Sequence, residues 1–136
     1  MSLREEEFIV LYAIFESPSI SVNQLYRKLK GRISKVKMIE ILKKFTNEGL
    51  VERVKDPKHK QRVMLFLKDD VQKLARSLVE KARETAKNNI VEKADSILRK
   101  YLEVASKIKD PIVRDFLKKL VLAEIAEFLN MSNGLR

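Results

Sequence analysis

Residues 34–68 read SKVKMIEILKKFTNEGLVERVKDPKHKQRVMLFLK, and their pattern decides the fold. Ser34 is a good N-cap, because its hydroxyl can accept from one of the first orphan N–H groups of a helix. Behind it Met38, Ile41, Leu42 and Phe45 fall at i, i+3, i+4 and i+7, the single buried stripe of an amphipathic helix. The opposite arc carries Val36, Lys37, Glu40, Lys43, Lys44 and Asn47, with Lys35 at the N-terminal end. Gly49 supplies the left-handed residue that ends such a helix. Residues 50–55 then form a β-type run, 56–61 (DPKHKQ) a polar turn, and 62–67 (RVMLFL) a second run with apolar residues on both faces. The two runs are long enough to pair as a hairpin. A basic helix beside a basic hairpin is an arrangement for gripping nucleic acid.

Working outward toward the N-terminus, residues 3–16 place Phe8, Ile9, Leu11, Tyr12 and Phe15 at helical spacing. Ser17-Pro18-Ser19 ends that helix, since the residue before proline is pushed out of helical space. There is room for a very short strand at Ile20. Ser21 can then cap a second helix, VNQLYRKLK, with Val22, Leu25, Tyr26 and Leu29 on one face. Gly31 stops it, with Lys30 favourably placed near its C-terminus.

Charge is concentrated in the same place. Residues 1–20 sum to −3 and residues 69–136 to +3, while residues 21–68 set 14 Lys and Arg against 4 acids, for +10. A polyanion should therefore dock on that 48-residue block. Other classes are poorly served. With no cysteine and one histidine, the chain cannot build a disulfide, a thiolate site or a histidine metal site. There are only three glycines and no phosphate-binding loop, the acids are scattered in salt-bridging patterns, and catalysis finds no constellation. No cofactor is implied. No apolar run approaches the roughly 20 residues of a membrane span, and MSLREEEF is not a signal peptide, so a cytoplasmic location is expected.

Helix, helix, helix, β-hairpin is the order of a winged helix-turn-helix domain. Residues 3–69 resemble the MarR-type winged-helix repressors, with the PadR group close. The carrying stretches are SISVNQLYRKL and LKKFTNEGLVERVKDPKHKQRVMLFLKDD. In that family Gly and a Leu-Val-Glu-Arg run lead into an Asp-Pro-rich wing, and a Leu-Thr-acid stretch opens the next helix. Here Leu67-Lys68-Asp69 takes that place. The resemblance implies a recognition helix at 34–48 in the major groove of double-stranded DNA, with a wing at 55–62 on the backbone or in the minor groove. Two departures stand out. The family's wing usually has an acid and an arginine where this chain has His59 and Lys60, so the minor-groove arginine is a lysine here or has moved to Arg62. The family also carries a helix ahead of the first one here, so the dimerising material is expected at the C-terminal end, as in the PadR layout.

Ser34, Lys35, Val36, Lys37, Glu40 and Lys44 would face the groove, where lysine can donate to guanine, Val36 can meet a thymine methyl and Glu40 can accept from cytosine. Arg27, Lys28, Lys30 and Arg32, flanking the turn into the recognition helix, are candidate phosphate contacts. Lys55, Lys58, His59, Lys60 and Arg62 would form the wing contacts. Exposed basic turns are common, and a solvated face is the bland alternative for each group; His59 alone reads as a solvated turn residue.

From Asp69 onward the pattern is helical. Val71, Leu74, Leu78, Ala82, Ala86, Ile90, Ala94, Ile97, Tyr101, Ala105 and Ile108 recur every three or four residues. One continuous helix over this span would be roughly 60 Å long, and Asn88-Asn89 is the one place where it would kink or split. Such a stripe is expected to need a partner. Asp110-Pro111 opens a last helix, 112–131, apolar on most of its circumference, before Asn133-Gly134 releases a tail. Leu74, Leu78, Ile90, Ile97, Tyr101, Phe116, Leu120 and Phe128 are the expected dimer seam. The fold expected is mainly α with a small β-hairpin: a winged helix-turn-helix domain at 1–68 and long dimerisation helices at 69–136. The function expected is a homodimeric, sequence-specific DNA-binding transcriptional regulator. The alternatives are an architectural or DNA-segregation protein that coats DNA with little sequence choice, and a winged module used only for protein assembly. Nothing in the sequence places a small-molecule effector.

Overall fold

The computed structural model describes residues 2–59, 61–84 and 89–134, the last four by backbone alone. Lys60, Ala86 and Asn88, named above, lie outside the described residues. The elements in chain order are α1 (Glu5–Glu16), β1 (Ile20–Ser21), α2 (Val22–Leu29), α3 (Lys35–Asn47), β2 (Val51–Lys55), β3 (Val63–Leu67), α4 (Asp69–Glu84), α5 (Ile90–Ala105) and α6 (Pro111–Gly134). They divide into two compact units, Arg4–Gln72 and a helical unit of Lys73–Arg136 joined by the first residues through Leu3. No described helix is long and apolar enough to cross a membrane.

The first unit is a winged helix-turn-helix. Its three helices come from caps that the sequence announces. Ser21 Oγ accepts from the Gln24 amide at 3.1 Å while the Gln24 side chain accepts from the Ser21 amide at 3.0 Å, a reciprocal box. Ser34 Oγ accepts from the Lys37 amide at 3.1 Å. At the other end of α3, Gly49 sits at φ +80°, and the Leu50 and Gly49 amides donate to the Phe45 and Thr46 carbonyls at 2.9 and 3.1 Å. That paired closure satisfies two of the carbonyls a helix end leaves open, and it brings Leu50 in beside Phe45, both buried.

The hairpin is part of a three-stranded antiparallel sheet in the order β1-β3-β2. The short strand at Ile20 exists and pairs with Leu65, so β3 is central. This explains why β3 is apolar on both faces while β2, an edge strand, is exposed after Val51. The core beneath is Val10, Leu11, Ile14, Leu25, Leu29, Met38, Leu42, Phe45 and Leu65, every one at most 2% exposed.

The helical unit resolves the long stripe. The described segments are two helices, α4 and α5, the second capped by Asn89, whose side-chain oxygen accepts from the Glu92 amide at 2.8 Å. Asp110 Oδ1 accepts from the Ile112 amide at 2.9 Å and so opens α6, with Pro111 at the first helical position. The helix then runs on to Gly134, past the Asn133-Gly134 point expected to release it. α6 packs along α5, and this corrects the expectation that the stripe requires a second copy. Leu78, Ile97, Phe116 and Leu120 are 0–1% exposed within the single chain. α5 and α6 pack on each other, and these four side chains are interior within the single chain. Leu74, Ile90, Tyr101 and Phe128 are half-buried.

A buried charge cluster also lies in this unit. Lys93, 7% exposed, holds its Nζ 3.4 Å from the centroid of the Phe128 ring, and Glu124, 4% exposed, is 3.5 Å from the Arg83 guanidinium. Burial pushes the Lys93 ammonium below the ordinary lysine range, and the negative charge of Glu124 opposes that. Asp115 accepts from the Leu3 amide and pairs with Lys119 at 2.6 Å. Burial alone would raise its pKa; the Lys119 and Leu3 hydrogen bonds outweigh it and hold the carboxyl below its usual range.

Candidate nucleic-acid interface

The first turn of α3 is built against its own helix. It contains no acid, and two of its three residues are Lys35 and Lys37. Cations at the positive end of a helix macrodipole cost about 0.3–1 kcal/mol each. Lys35 is held over the Tyr26 ring of α2, 5.6 Å from its centroid, and Lys37 leans toward Glu40 at 3.8 Å. Between them Val36 is 70% exposed, and Ile39 follows at 36%. Lysines and exposed apolar side chains thus share the N-terminal half of this helix, a mixture that can pair with phosphate and meet a thymine methyl.

Of the residues named from sequence, Ser34, Lys35, Val36 and Glu40 are exposed at the N-terminal half of α3 and Lys37 is half-buried, although Ser34 is committed to its cap. Arg27 and Lys28 lie in the last turn of α2, and Lys30 and Arg32 in the link to α3, all exposed. Lys28 is drawn back to α1, with Nζ 3.9 Å from Glu16 and 3.5 Å from Ser17 Oγ. In the wing, Lys55, Lys58 and His59 are exposed. The turn is held by the Asp56 amide donating to the Arg62 carbonyl at 2.9 Å, the Arg62 amide to the His59 carbonyl at 3.0 Å, and the Lys58 amide to Asp56 Oδ1 at 2.9 Å. Arg62 folds back toward Asp56, with 3.9 Å between Nε and the carboxylate, and its buried Nε has no hydrogen-bond partner among the described residues.

Lys44, expected at the groove, is paired with α1. Its Nζ lies 2.7 Å from Oε2 of Glu7, a carboxylate that is 7% exposed on α1, so it ties α3 to α1 instead of facing the groove. Burial pushes the Glu7 pKa up, but the hydrogen bond from Lys44 and then that from the Arg4 amide outweigh it, and the group is held below the ordinary range. A lowered folded pKa contributes stability that is complete above the unfolded carboxylate pKa and is lost as pH falls through the lowered value. Lys44→Ala leaves a buried acceptor unpaired and is expected to cost about 1 kcal/mol, since the half-exposed lysine admits water, or about 4–8 °C in Tm. Duplex affinity at neutral pH should stay within about twofold of native. Glu7→Gln should flatten the acid limb of the Tm–pH profile; an unchanged acid limb would mean the pair contributes nothing.

Sequence reasoning missed Arg53. The register sets it opposite Leu65, on the sheet face that also carries Val51 and Leu67, where it emerges beside α2. The signal was available only once β2 was paired with β3, because β2 on its own is exposed at every residue after the first.

No protein-family model and no curated protein matches the sequence. Among solved structures the chain is similar to the transcriptional regulator PA4135, at 19% identity, TM-score 0.47, covering 98% of this chain and 79% of that one. It is similar to a MarR transcriptional regulator from Methanosarcina mazei Go1, at 20% identity, TM-score 0.45, covering 95% and 76%. It is also similar to Streptococcus pneumoniae FabT in complex with DNA, at 17% identity, TM-score 0.46, covering 79% and 78%. The fold itself is established by the chain's own elements: three capped helices, a β1-β3-β2 sheet and a basic hairpin, which together make a winged helix-turn-helix.

Proposed function

We propose that the chain binds double-stranded DNA through the winged helix-turn-helix unit, acts as a homodimeric transcriptional regulator, and performs no catalysis. The observation that carries this is the first turn of α3, where Lys35 and Lys37 oppose the helix dipole around an exposed Val36, inside a block of net charge +10. The recognition helix would lie in the major groove with its N-terminal residues at the base edges, and the wing would follow the backbone or enter the minor groove. Binding-site selection from random duplexes tests it. Enrichment of a pseudo-palindrome with half-sites about 34–36 Å apart is the expected outcome.

For the dimer, the supporting surface is the outward face of α5 and α6. Val91, Leu98 and Leu102 recur at i, i+7 and i+11, and Leu122 and Leu129 at i and i+7, all 42–78% exposed. Among the described residues of the helical unit, these five are the large apolar side chains left exposed. Leu98→Glu with Leu102→Glu is expected to convert a dimer to a monomer by mass in solution, with little loss of helix content. A native chain that is monomeric at working concentration would remove the dimer and leave DNA binding standing.

One observation favours a second reading, DNA coating with little sequence choice. The exposed arc of α3 carries lysines and a Glu40 already near Lys37, and no arginine or glutamine for bidentate base recognition. Equal affinity for random and selected duplexes would favour coating; a ratio well above one would favour the regulator. No detectable affinity at low salt would leave only the protein-assembly role.

A further inference from the structure

Among the described residues of the helical unit two charged side chains are buried, Lys93 on α5 at 7% exposed and Glu124 on α6 at 4%. Glu124 and Phe128 are four residues apart on α6, so they share one face of that helix. Lys93 projects from α5 onto this face, with Nζ 3.4 Å from the centre of the Phe128 ring. The negative charge of Glu124 acts on the same ammonium. A ring face and a carboxylate presented together are the pair of groups that holds an organic ammonium. Arg83 reaches Glu124 from α4 at 3.5 Å, so the carboxylate ties a third helix to the cluster. Apolar side chains at 93 and 124 would join α5 to α6 without taking charge out of water, so adhesion alone does not call for this pair. What the ammonium adds is a choice of position, because it is stable in the interior only where the ring and the carboxylate meet it.

We infer that Lys93 is the internal ligand of an ammonium seat formed by Glu124 and Phe128, and that this latch sets the alignment of α6 on α5 and with it the surface offered to a second copy. The latch rests on the homodimer proposed above and adds what controls it. Val91 and Leu122 stand two positions from Lys93 and Glu124, roughly 200° around the same two helices, and both are exposed. The latch therefore grips the inner sides of α5 and α6 while their outer sides carry the apolar residues. Sliding α6 by one turn would carry Leu122 and Leu129 roughly 5.4 Å past Val91, Leu98 and Leu102. A surface composed of two helices fits a second copy only while their alignment is kept, and Lys93 keeps it.

The experiment compares the full native chain with two variants, by sedimentation equilibrium for the dimer and by circular dichroism for folding. The first combines Lys93→Met with Glu124→Leu, which removes both buried charges at similar volume and leaves Arg83, an exposed side chain, to water. It is expected to keep helix content and a Tm within about 4 °C of native. Its dimer should nevertheless be about tenfold weaker, because apolar contacts hold α6 on α5 without choosing one alignment. The second variant, Lys93→Ala, opens the seat, and its Tm is expected to fall by about 8 °C. Millimolar n-propylammonium, the part of lysine that this substitution removes, should restore a good part of that loss, and n-propanol at the same concentration should not. Equal recovery with n-propanol would mean a refilled cavity and would overturn the seat. If Lys93→Ala does not fold, the double variant decides alone. A double variant that dimerises with native affinity would overturn the latch while the dimer stands. A native chain that is monomeric at working concentration removes the homodimer itself, and the latch falls with it.

Discussion

Replacing Lys35 with Glu and Lys37 with Gln is expected to lower duplex affinity by about 100-fold or more at moderate salt, while leaving thermal stability unchanged or slightly raised. The two effects have opposite signs for one physical reason. An acid at the first position of α3 suits the helix dipole, and removing the second lysine relieves it further, together worth up to about 1 kcal/mol. The same change deletes two cations where the helix tip would meet phosphate and adds a repelling charge. A loss of about 2.7 kcal/mol gives the 100-fold. Glutamine at position 37 avoids setting a second acid beside Glu40, its i+3 neighbour. A solvated face would show the gain in stability and no loss of binding. Loss of both stability and binding would mean that the lysines support the fold, contrary to the geometry described.

Phe45→Ala is the complementary case, in which nothing at the DNA face changes and the site is lost anyway. Phe45 is 0% exposed, sits two residues before the end of α3, and closes the helix together with Leu50. Truncating a buried phenylalanine costs about 3–5 kcal/mol through lost burial and the cavity left behind. A unit of this size has little more than that in total, because small domains lie near the low end of about 5–15 kcal/mol. A fall in unfolding midpoint of at least about 12 °C is expected by circular dichroism. DNA binding should fall with the folded fraction. A fall below about 5 °C would show that the helix end is not the keystone of this unit.

The residues that were legible from sequence are those whose partners are close in the chain. Ser21, Ser34, Gly49 and Asp110 announce helix ends because a cap is decided within four residues. The stripe Met38, Ile41, Leu42, Phe45 announces which side of α3 is buried, and so which side is left for a partner. Lys44 was misread because its partner Glu7 is 37 positions away and only the packing of α1 on α3 brings them together. Arg53 was missed because its direction depends on the register of β2 against β3. The helical unit failed in another way. A spacing of three to four residues says that Leu78, Ile97, Phe116 and Leu120 must be covered, but not whether the cover comes from the same chain, and within this chain all four are already buried.

The most direct single measurement is the salt dependence of duplex binding by the native chain between about 50 and about 200 mM. Six to ten phosphate contacts spread over the α3 tip, the link from α2 and the wing should make affinity fall by about 10³-fold or more over that interval. A change of less than about tenfold, or no binding at the lower salt, would contradict the placement of DNA on this basic block.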